Sequence, residues 1–263
     1  MDVRFTLAGL VVGTLVGVCG IGGSALLAPI LILFLGVNPI IAVGTDLVYS
    51  VPTKLVAAFM HRRQGTVDKR IVLLLIAGGA PGAGIGLALT AFLRAHVSFA
   101  RLNTEIKHAI GFAILLACAA AIAAYALRRG GDATGAGAKR ASAPFKPASS
   151  AGLVATGALV GVLVAITSVG SGSVTLPLLI FLLPGISLRR LIGSEIAFGA
   201  LLVPLAALGH STLGDVDWSA SSSLLLGSVP GAVIGSRLSA VVKDTWLRPV
   251  IIGVLALAGS RLV

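Results

Sequence analysis

The chain has 263 residues, of which 57% are hydrophobic and only 11% are charged. A water-soluble domain carries about a quarter charged residues, so this composition excludes an ordinary soluble fold. The net charge of +11 does not indicate a nucleic-acid partner, because the Lys and Arg residues cluster in short loops between apolar runs, as they do in membrane proteins. The sequence therefore predicts an all-α protein that crosses the lipid bilayer several times.

Apolar segments follow one another along the chain, five in each half. Those of the first half cover about 5–18, 25–37, 40–60, 71–93 and 107–127. Those of the second half cover about 151–166, 174–184, 189–209, 219–241 and 247–262. The stretch between the halves is rich in Gly, Ala, Ser and basic residues, which is typical of a flexible linker. We expect a first transmembrane repeat at 1–127, a linker at 128–150 and a second transmembrane repeat at 151–263.

The two halves carry the same Gly, Pro, His and Asp residues in the same order, which predicts an internal duplication. At an offset of 149 residues, the matches include His61 with His210, Asp68 with Asp217, and Pro81-Gly82 with Pro230-Gly231. Further upstream the offset is 148, which pairs Gly22 with Gly170, and in the first segments it is taken as 144, which pairs Gly13 with Gly157.

Basic residues change sides between the halves. The loop after the third segment of the first half, 61–70, holds four Lys or Arg residues, whereas its second-half counterpart holds none. In the second half the basic pair Arg189-Arg190 lies at the start of the third segment instead. Because basic loops face the cytoplasm, we expect two inverted-topology repeats, with the linker in the cytoplasm and both termini outside.

A Gly-rich break separates the first two segments of each half, at 19–24 and at 166–173. The flanking apolar pieces are too short to span a membrane, which indicates a broken or re-entrant helix near the midplane. Backbone amides at a helix start attract anions, and Gly allows an anion to approach them. The expected anion ligands are Gly20, Gly22, Gly23, Ser24, Thr167, Ser168, Gly170, Ser171, Gly172 and Ser173. The alternative is that these small residues serve only close helix packing.

Asp46 and Glu195 occupy the same repeat position inside the third segments. A carboxylate inside a membrane costs about 2.5–3.5 kcal/mol on insertion scales, and such residues are functional candidates by default. We interpret both acids as proton-coupling residues, because a carboxylate beside a bound anion takes up a proton more readily, which favours proton–anion symport. Two alternatives stay open: Asp46 pairs with Lys54, or each acid caps a restarted helix.

Lys54 lies eight residues after Asp46 and has Val203 as its counterpart. It could attract the anion, or its side chain could extend to the membrane edge. Thr45 and Ser194 are modest candidates for anion contact. The two His residues at the ends of the third segments, with Asp68 and Asp217 as helix caps, are interpreted as structural.

The duplicated motifs resemble the TauE/SafE family of sulfite exporters. They comprise each break with the Pro-containing helix that follows it, GIGGSALLAPILILFLG and VGSGSVTLPLLIFLLPG, and the H-x-x-x-G-x-V-D turn at 61–68 and 210–217. The resemblance implies a multi-pass protein of the bacterial inner membrane that transports sulfite or organosulfonates. Asp46 and Glu195 depart from the small neutral polar residue that the family usually has at this position.

These features favour a secondary transporter of small anions, with access alternating as the two halves rock about the site. An anion channel and a transporter of another anion, such as a carboxylate, remain alternatives. An enzyme is not expected, since the four His residues are scattered and supply no catalytic cluster. We expect no cofactor and no metal, the lipid bilayer and a small anion as partners, and no nucleic acid. The sequence leaves a homo-oligomer open.

Overall fold

A computed structural model describes residues 3–19, 24–132, 147–239, 253 and 255–263 of the protein. The described part is helical and contains no β-strand, as the composition predicts. The helices of the first half are α1 (Val3–Cys19), α2 (Ser24–Leu33), α3 (Pro39–Arg63), α4 (Lys69–His96) and α5 (Phe99–Asp132). Those of the second half are α6 (Pro147–Thr167), α7 (Thr175–Leu182), α8 (Leu188–Leu213) and α9 (Trp218–Ser239), followed by a helical stretch at 255–262.

Within the described residues, five helices are long and apolar enough to cross a membrane. They are Pro39–Arg63, Lys69–His96, Phe99–Ala123, Ser150–Thr167 and Leu188–Leu213. Large apolar side chains project from the bundle, such as Phe34, which is 81% exposed, and Leu73, which is 65% exposed. Such a surface is stable in lipid and would be a liability in water. The predicted multi-pass membrane protein is therefore confirmed.

Helix α5 begins earlier than its apolar segment suggested. The sequence from 99 to 106 contains charged residues and lies between the predicted apolar segments 71–93 and 107–127, yet it forms two further helical turns. Leu102 and Ile106 are buried while Arg101 and Glu105 are exposed. The helix is amphipathic at this end, so an apolar run alone could not reveal its start.

Glycine brings helices of opposite halves into backbone contact. Helix α1 packs along α9, and α4 packs along α6. A Cβ atom added to Gly78 of α4 would lie 1.9 Å from the carbonyl oxygen of Val154, and one added to Gly227 of α9 would lie 1.9 Å from that of Thr6. Small residues allow this close approach, which is the usual basis of helix association in membranes. The two contacts are equivalent, because Gly78 and Gly227 are separated by the repeat offset of 149.

The same contacts correct the alignment of the first helices. Gly9 packs on the carbonyl group of Leu224, and Gly157 packs on that of Leu75, the equivalent residue at an offset of 149. Gly9 is thus the counterpart of Gly157, and the offset is 148 rather than 144. The predicted pairing of Gly13 with Gly157 was wrong by one helical turn, because glycines recur every four residues in this helix and fit either register.

Helices α3 and α8 cross at the centre of the bundle and run in opposite directions. Gly44 near the start of α3 lies against Asp215 beyond the end of α8, whereas Gly193 near the start of α8 lies against Thr66 beyond the end of α3. Between these ends, Lys54 of α3 reaches Gly199 of α8. The start of the third helix of each half therefore packs on the turn that follows the third helix of the other half.

Candidate functional site

The break between α6 and α7 has an irregular and buried backbone. Ser168 has a φ of 58°, a left-handed conformation that is rare for a residue with a side chain, and Gly170 has a φ of 129°. The Thr167 hydroxyl accepts a hydrogen bond from the amide of Val169 at 3.2 Å. The chain re-enters a helix at Thr175, whose amide donates to the carbonyl of Gly170 at 3.1 Å. The predicted interruption of this helix is therefore present.

Asp46 meets this break directly. The hydroxyl of Ser168 donates a hydrogen bond to Oδ2 of Asp46 at 2.5 Å, and both residues are almost completely buried. On the other carboxylate oxygen, Ser50 approaches at 3.5 Å, which is at the limit of a hydrogen bond. A carboxyl group of the first repeat is thus held by the broken helix of the second.

Among the buried polar atoms that have no hydrogen-bond partner within the described part of the chain, two lie in the break between α6 and α7 and one is a carboxylate oxygen of α8. They are the hydroxyl oxygens of Ser171 and Ser173 and Oε1 of Glu195. Buried polar atoms are nearly always satisfied, so each such atom calls for an explanation, such as a bound ion or water. These three atoms are suited to contact a polar ligand that enters the bundle.

Glu195 lies on α8 at the position that Asp46 has on α3, and it is 5% exposed. Unlike Asp46, it has a carboxylate oxygen, Oε1, that accepts no hydrogen bond within the described part of the chain. In the sequence, the counterpart of Ser168 at an offset of 148 is Gly20, which has no hydroxyl group. The predicted ligands Gly20, Gly22 and Gly23 lie outside the described residues. Ser24 begins α2, and its side chain also lies outside them.

Lys54 is buried inside the bundle, at 8% exposure. A Cβ atom added to Gly199 would lie 3.1 Å from its Nζ atom, so the ammonium group rests against the backbone of α8. The group is within electrostatic range of both Asp46 and Glu195. Extension of this side chain to the membrane edge, one of the two interpretations above, is not what the structure shows.

The level of Lys54 lies between the two carboxyl groups along the bundle. Eight residues of α3 separate it from Asp46, which is about 12 Å of helical rise. Gly199, which Lys54 touches, lies four residues beyond Glu195 on α8, which is about 6 Å of rise. Because α3 and α8 run in opposite directions, these two displacements point to opposite sides. Asp46, Lys54 and Glu195 therefore lie at three successive levels along the bundle rather than in a single pocket, and we call these three residues the column.

Thr45 and Ser194 bind turns instead of facing the break. The hydroxyl of Thr45 accepts from the amide of Asp217 at 3.1 Å, and that of Ser194 accepts from the amide of Asp68 at 2.8 Å. These equivalent bonds tie the start of each third helix to the cap of the opposite half. The same turns use Asp68 and Asp217 as helix caps, with the side chains accepting from the amides of Arg70 and Ala220.

A further polar cluster lies beside Asp46 and was missed by the sequence analysis. Arg94 at the end of α4 donates to Oδ1 of Asp215 at 2.5 Å, and Oδ2 of the same residue lies 3.5 Å from Nδ1 of His210. The other ring nitrogen of His210 lies 2.7 Å from the carbonyl oxygen of Ala165, just before the break. The available signal was an acid at 215 where the first repeat has the neutral Thr66.

Among the residues that the structure describes, those around Asp46 at the break between α6 and α7 are buried in this conformation. Asp46 and Ser171 are 0% exposed and Ser168 is 1% exposed. A ligand could reach these atoms only after the surrounding helices move. The arrangement can therefore exchange protons and bind an anion only in a conformation different from this one.

Comparison with known proteins gives a consistent result. The family model of the sulfite exporter TauE/SafE matches residues 5–262. The chain is 36% identical to the probable membrane transporter protein YjnA of Bacillus subtilis, with all of both chains covered. It is 25% identical to the probable membrane transporter protein YdhB of the same organism, over 95% of this chain and 96% of that protein. No solved structure matches the chain significantly. The chain belongs to the TauE/SafE sulfite exporter family of membrane transporters.

Proposed function

We propose that this protein is a secondary transporter that moves a small oxyanion of the sulfite or organosulfonate class together with protons. The observation that carries the proposal is the contact of Asp46 with Ser168, which places a buried carboxyl group of one repeat at the broken helix of the other. A proton on that carboxyl group removes a negative charge from a site that must accept an anion. Membrane acids of this kind serve proton relays in pumps and transporters.

The broken helix supplies the polar contacts for the oxyanion. Ser171 and Ser173 offer hydroxyl groups that lack a partner among the described residues, and Gly170 and Gly172 belong to the same break, where Gly permits a close approach of a ligand to the backbone. Discontinuous helices form substrate sites in several families of secondary transporters. Oxyanions of sulfur accept several hydrogen bonds at once, which suits a donor set of hydroxyl and amide groups.

Alternating access is the transport mode that the burial of the break between α6 and α7 favours. A channel needs a continuous path, whereas the residues from Ser168 to Gly172 are buried here. We propose further that the repeats at 1–127 and 151–263 are inverted in the membrane, with the linker at 128–150 in the cytoplasm. The opposite directions of α3 and α8 support this topology.

Purified protein in liposomes tests the proposal. Uptake of sulfite, methanesulfonate, sulfoacetate, sulfate and acetate would be followed with and without an imposed pH gradient. We expect accumulation of sulfite or a sulfonate above its outside concentration when the outside is more acidic. Protein-free liposomes are the baseline, because acetic acid crosses a bilayer unaided. Flux that never exceeds equilibration would indicate a channel, and accumulation of acetate alone beyond this baseline would indicate a carboxylate transporter.

Two variants test the coupling. Asp46→Asn and Glu195→Gln should each abolish accumulation driven by the pH gradient, because an amide in place of either carboxyl group cannot take up and release the proton that passes through that position. Glu105→Gln is the matched control, since this acid is exposed on α5. If both variants accumulate the anion as well as the parent protein does, proton coupling through these residues is wrong.

A further inference from the structure

The contact between α3 and α8 contains a buried ammonium group that no acid neutralises directly. Lys54 is more than nine-tenths buried. Among the residues that the structure describes, no carboxylate oxygen lies within 4.0 Å of its Nζ atom, and no group accepts a hydrogen bond from it. An isolated buried charge is strongly unfavourable and calls for a partner. A negatively charged ligand would supply that partner.

The opposite helix provides space for this group. Gly199 is the counterpart of Ser50, the residue one turn beyond Asp46. A methyl group at 199 would lie 3.1 Å from Nζ and 3.4 Å from Cδ of Lys54, which is closer than ordinary packing allows for Nζ. Because residue 199 has no side chain, the ammonium group of Lys54 can lie against α8, one helical turn from Glu195. The second repeat has Val203 where the first has Lys54, so only the first repeat carries a positive charge at this position.

We propose that Lys54 is the anion-binding cation of the transport site and that it selects singly charged oxyanions. This inference rests on the proposed function, since it names the group that binds the transported anion and the charge class of that anion. A monoanion beside Lys54 leaves no net charge in the interior of the bundle, whereas a dianion leaves an uncompensated negative charge there.

The neighbouring titratable groups explain why proton binding and anion binding occur together. Asp46 and Glu195 lie within electrostatic range of Lys54 on opposite sides, and Tyr49 lies within range of Asp46. When either carboxyl group is ionised it competes with the anion for the single ammonium group. An anion that enters from one side of the membrane must pass one acid, and it leaves past the other. Each passage is therefore easiest when that acid carries a proton.

Two probes of fixed charge test the inference in proteoliposomes. Methanesulfonate is a monoanion and sulfate is a dianion at every pH of interest, so a change of pH alters the protein and not the probe. The parent protein should accumulate methanesulfonate and should prefer it to sulfate in competition. Lys54→Met should raise the KM for methanesulfonate about tenfold or more, because a charge-assisted hydrogen bond to the anion is lost. Lys54→Arg should restore most of the affinity.

Lys69→Met is the matched control, because it removes one positive charge at an exposed position at the start of α4. Its KM should stay within about twofold of the parent value, as expected for a screened surface charge. A second variant, Gly199→Ala, adds a methyl group beside Nζ without removing any charge. It should raise the KM for methanesulfonate while the protein still elutes as a single species on size exclusion, and it decides the matter if Lys54→Met cannot be purified.

The outcomes separate the two proposals. If the parent protein accumulates no anion at all, anion transport itself is wrong. If the parent accumulates methanesulfonate and both Lys54→Met and Gly199→Ala keep its KM, transport stands and the role of Lys54 is wrong. If the parent transports sulfate as readily as methanesulfonate, the selection of monoanions is wrong.

Discussion

Ser168 donates a hydrogen bond of 2.5 Å to Asp46, across 122 residues of sequence. The donor belongs to the break of the second repeat and the acceptor to the third helix of the first repeat. The same serine has a positive φ, so its side chain is directed at Asp46 at the expense of backbone strain. Strain of this kind persists where the surrounding structure holds it and is frequent at functional sites.

Two substitutions at position 168 separate the hydrogen bond from the strain. Ser168→Ala removes the hydroxyl group and keeps a side chain at a φ of 58°, whereas Ser168→Gly removes the hydroxyl group and tolerates this φ. We expect Ser168→Gly to be more stable than Ser168→Ala by about 1 kcal/mol. Thermal unfolding of the purified variants in detergent measures the difference. Equal stabilities would mean that the backbone at 168 is unstrained.

The glycine contact between α4 and α6 predicts that two Gly→Ala substitutions in α4 differ in their effect on stability. Gly78→Ala places a methyl group 1.9 Å from the carbonyl oxygen of Val154, whereas Gly84→Ala meets no atom within 4 Å. Overpacking of this kind costs about 1–3 kcal/mol or more, so Gly78→Ala should lower the unfolding temperature by several degrees. Gly84→Ala should leave it unchanged or raise it, because Ala favours a helix over Gly. A loss of equal size in both variants would contradict the packing.

The cluster of Arg94, Asp215 and His210 predicts coupled effects on stability. Asp215→Ala leaves Arg94 without its carboxylate and His210 without a neighbouring acid, and we expect a loss of about 1–3 kcal/mol. The counterpart substitution in the first repeat, Thr66→Ala, removes two hydrogen bonds to the ring and the backbone carbonyl of His61 but no ion pair, and should cost less. A double-mutant cycle with Arg94→Gln measures the coupling. Additive losses would show that the ion pair contributes nothing.

The proposed topology predicts which side of the membrane the linker faces. Lys146→Cys, in a background with Cys19→Ala and Cys118→Ala, should react with a membrane-impermeant maleimide only in inverted vesicles. Arg62→Cys should behave in the same way, because both positions belong to the basic side. Labelling of either residue in intact cells would reverse the orientation.

The order and spacing of the helices follow from the sequence because apolar length and Gly-rich breaks are visible in it. The burial of Lys54 does not follow, because the direction of a long side chain depends on whether the opposite helix leaves space, and only the contact with Gly199 reveals that space. The Arg94–Asp215 pair was equally inaccessible, since its partners are 121 residues apart. The relative levels of Asp46, Lys54 and Glu195 could not be predicted either, because they depend on where α3 and α8 cross. Loop charges indicate that these helices run in opposite directions, but they do not give the position of the crossing.

The glycine contacts between the halves have a mechanical consequence. Helix α1 packs on α9 and α4 packs on α6, so each repeat is packed along helices of the other, and this packing does not favour the rocking of one half against the other that the sequence suggests. We expect the moving units to be mixed pairs, each with one helix from either repeat, linked by the crossing of α3 and α8. In a single repeat, the helices equivalent to α1 and α4 would have no glycine contact to a second repeat. Two copies are therefore the smallest assembly that forms these contacts, either fused in one chain as here or joined as a dimer of separate chains.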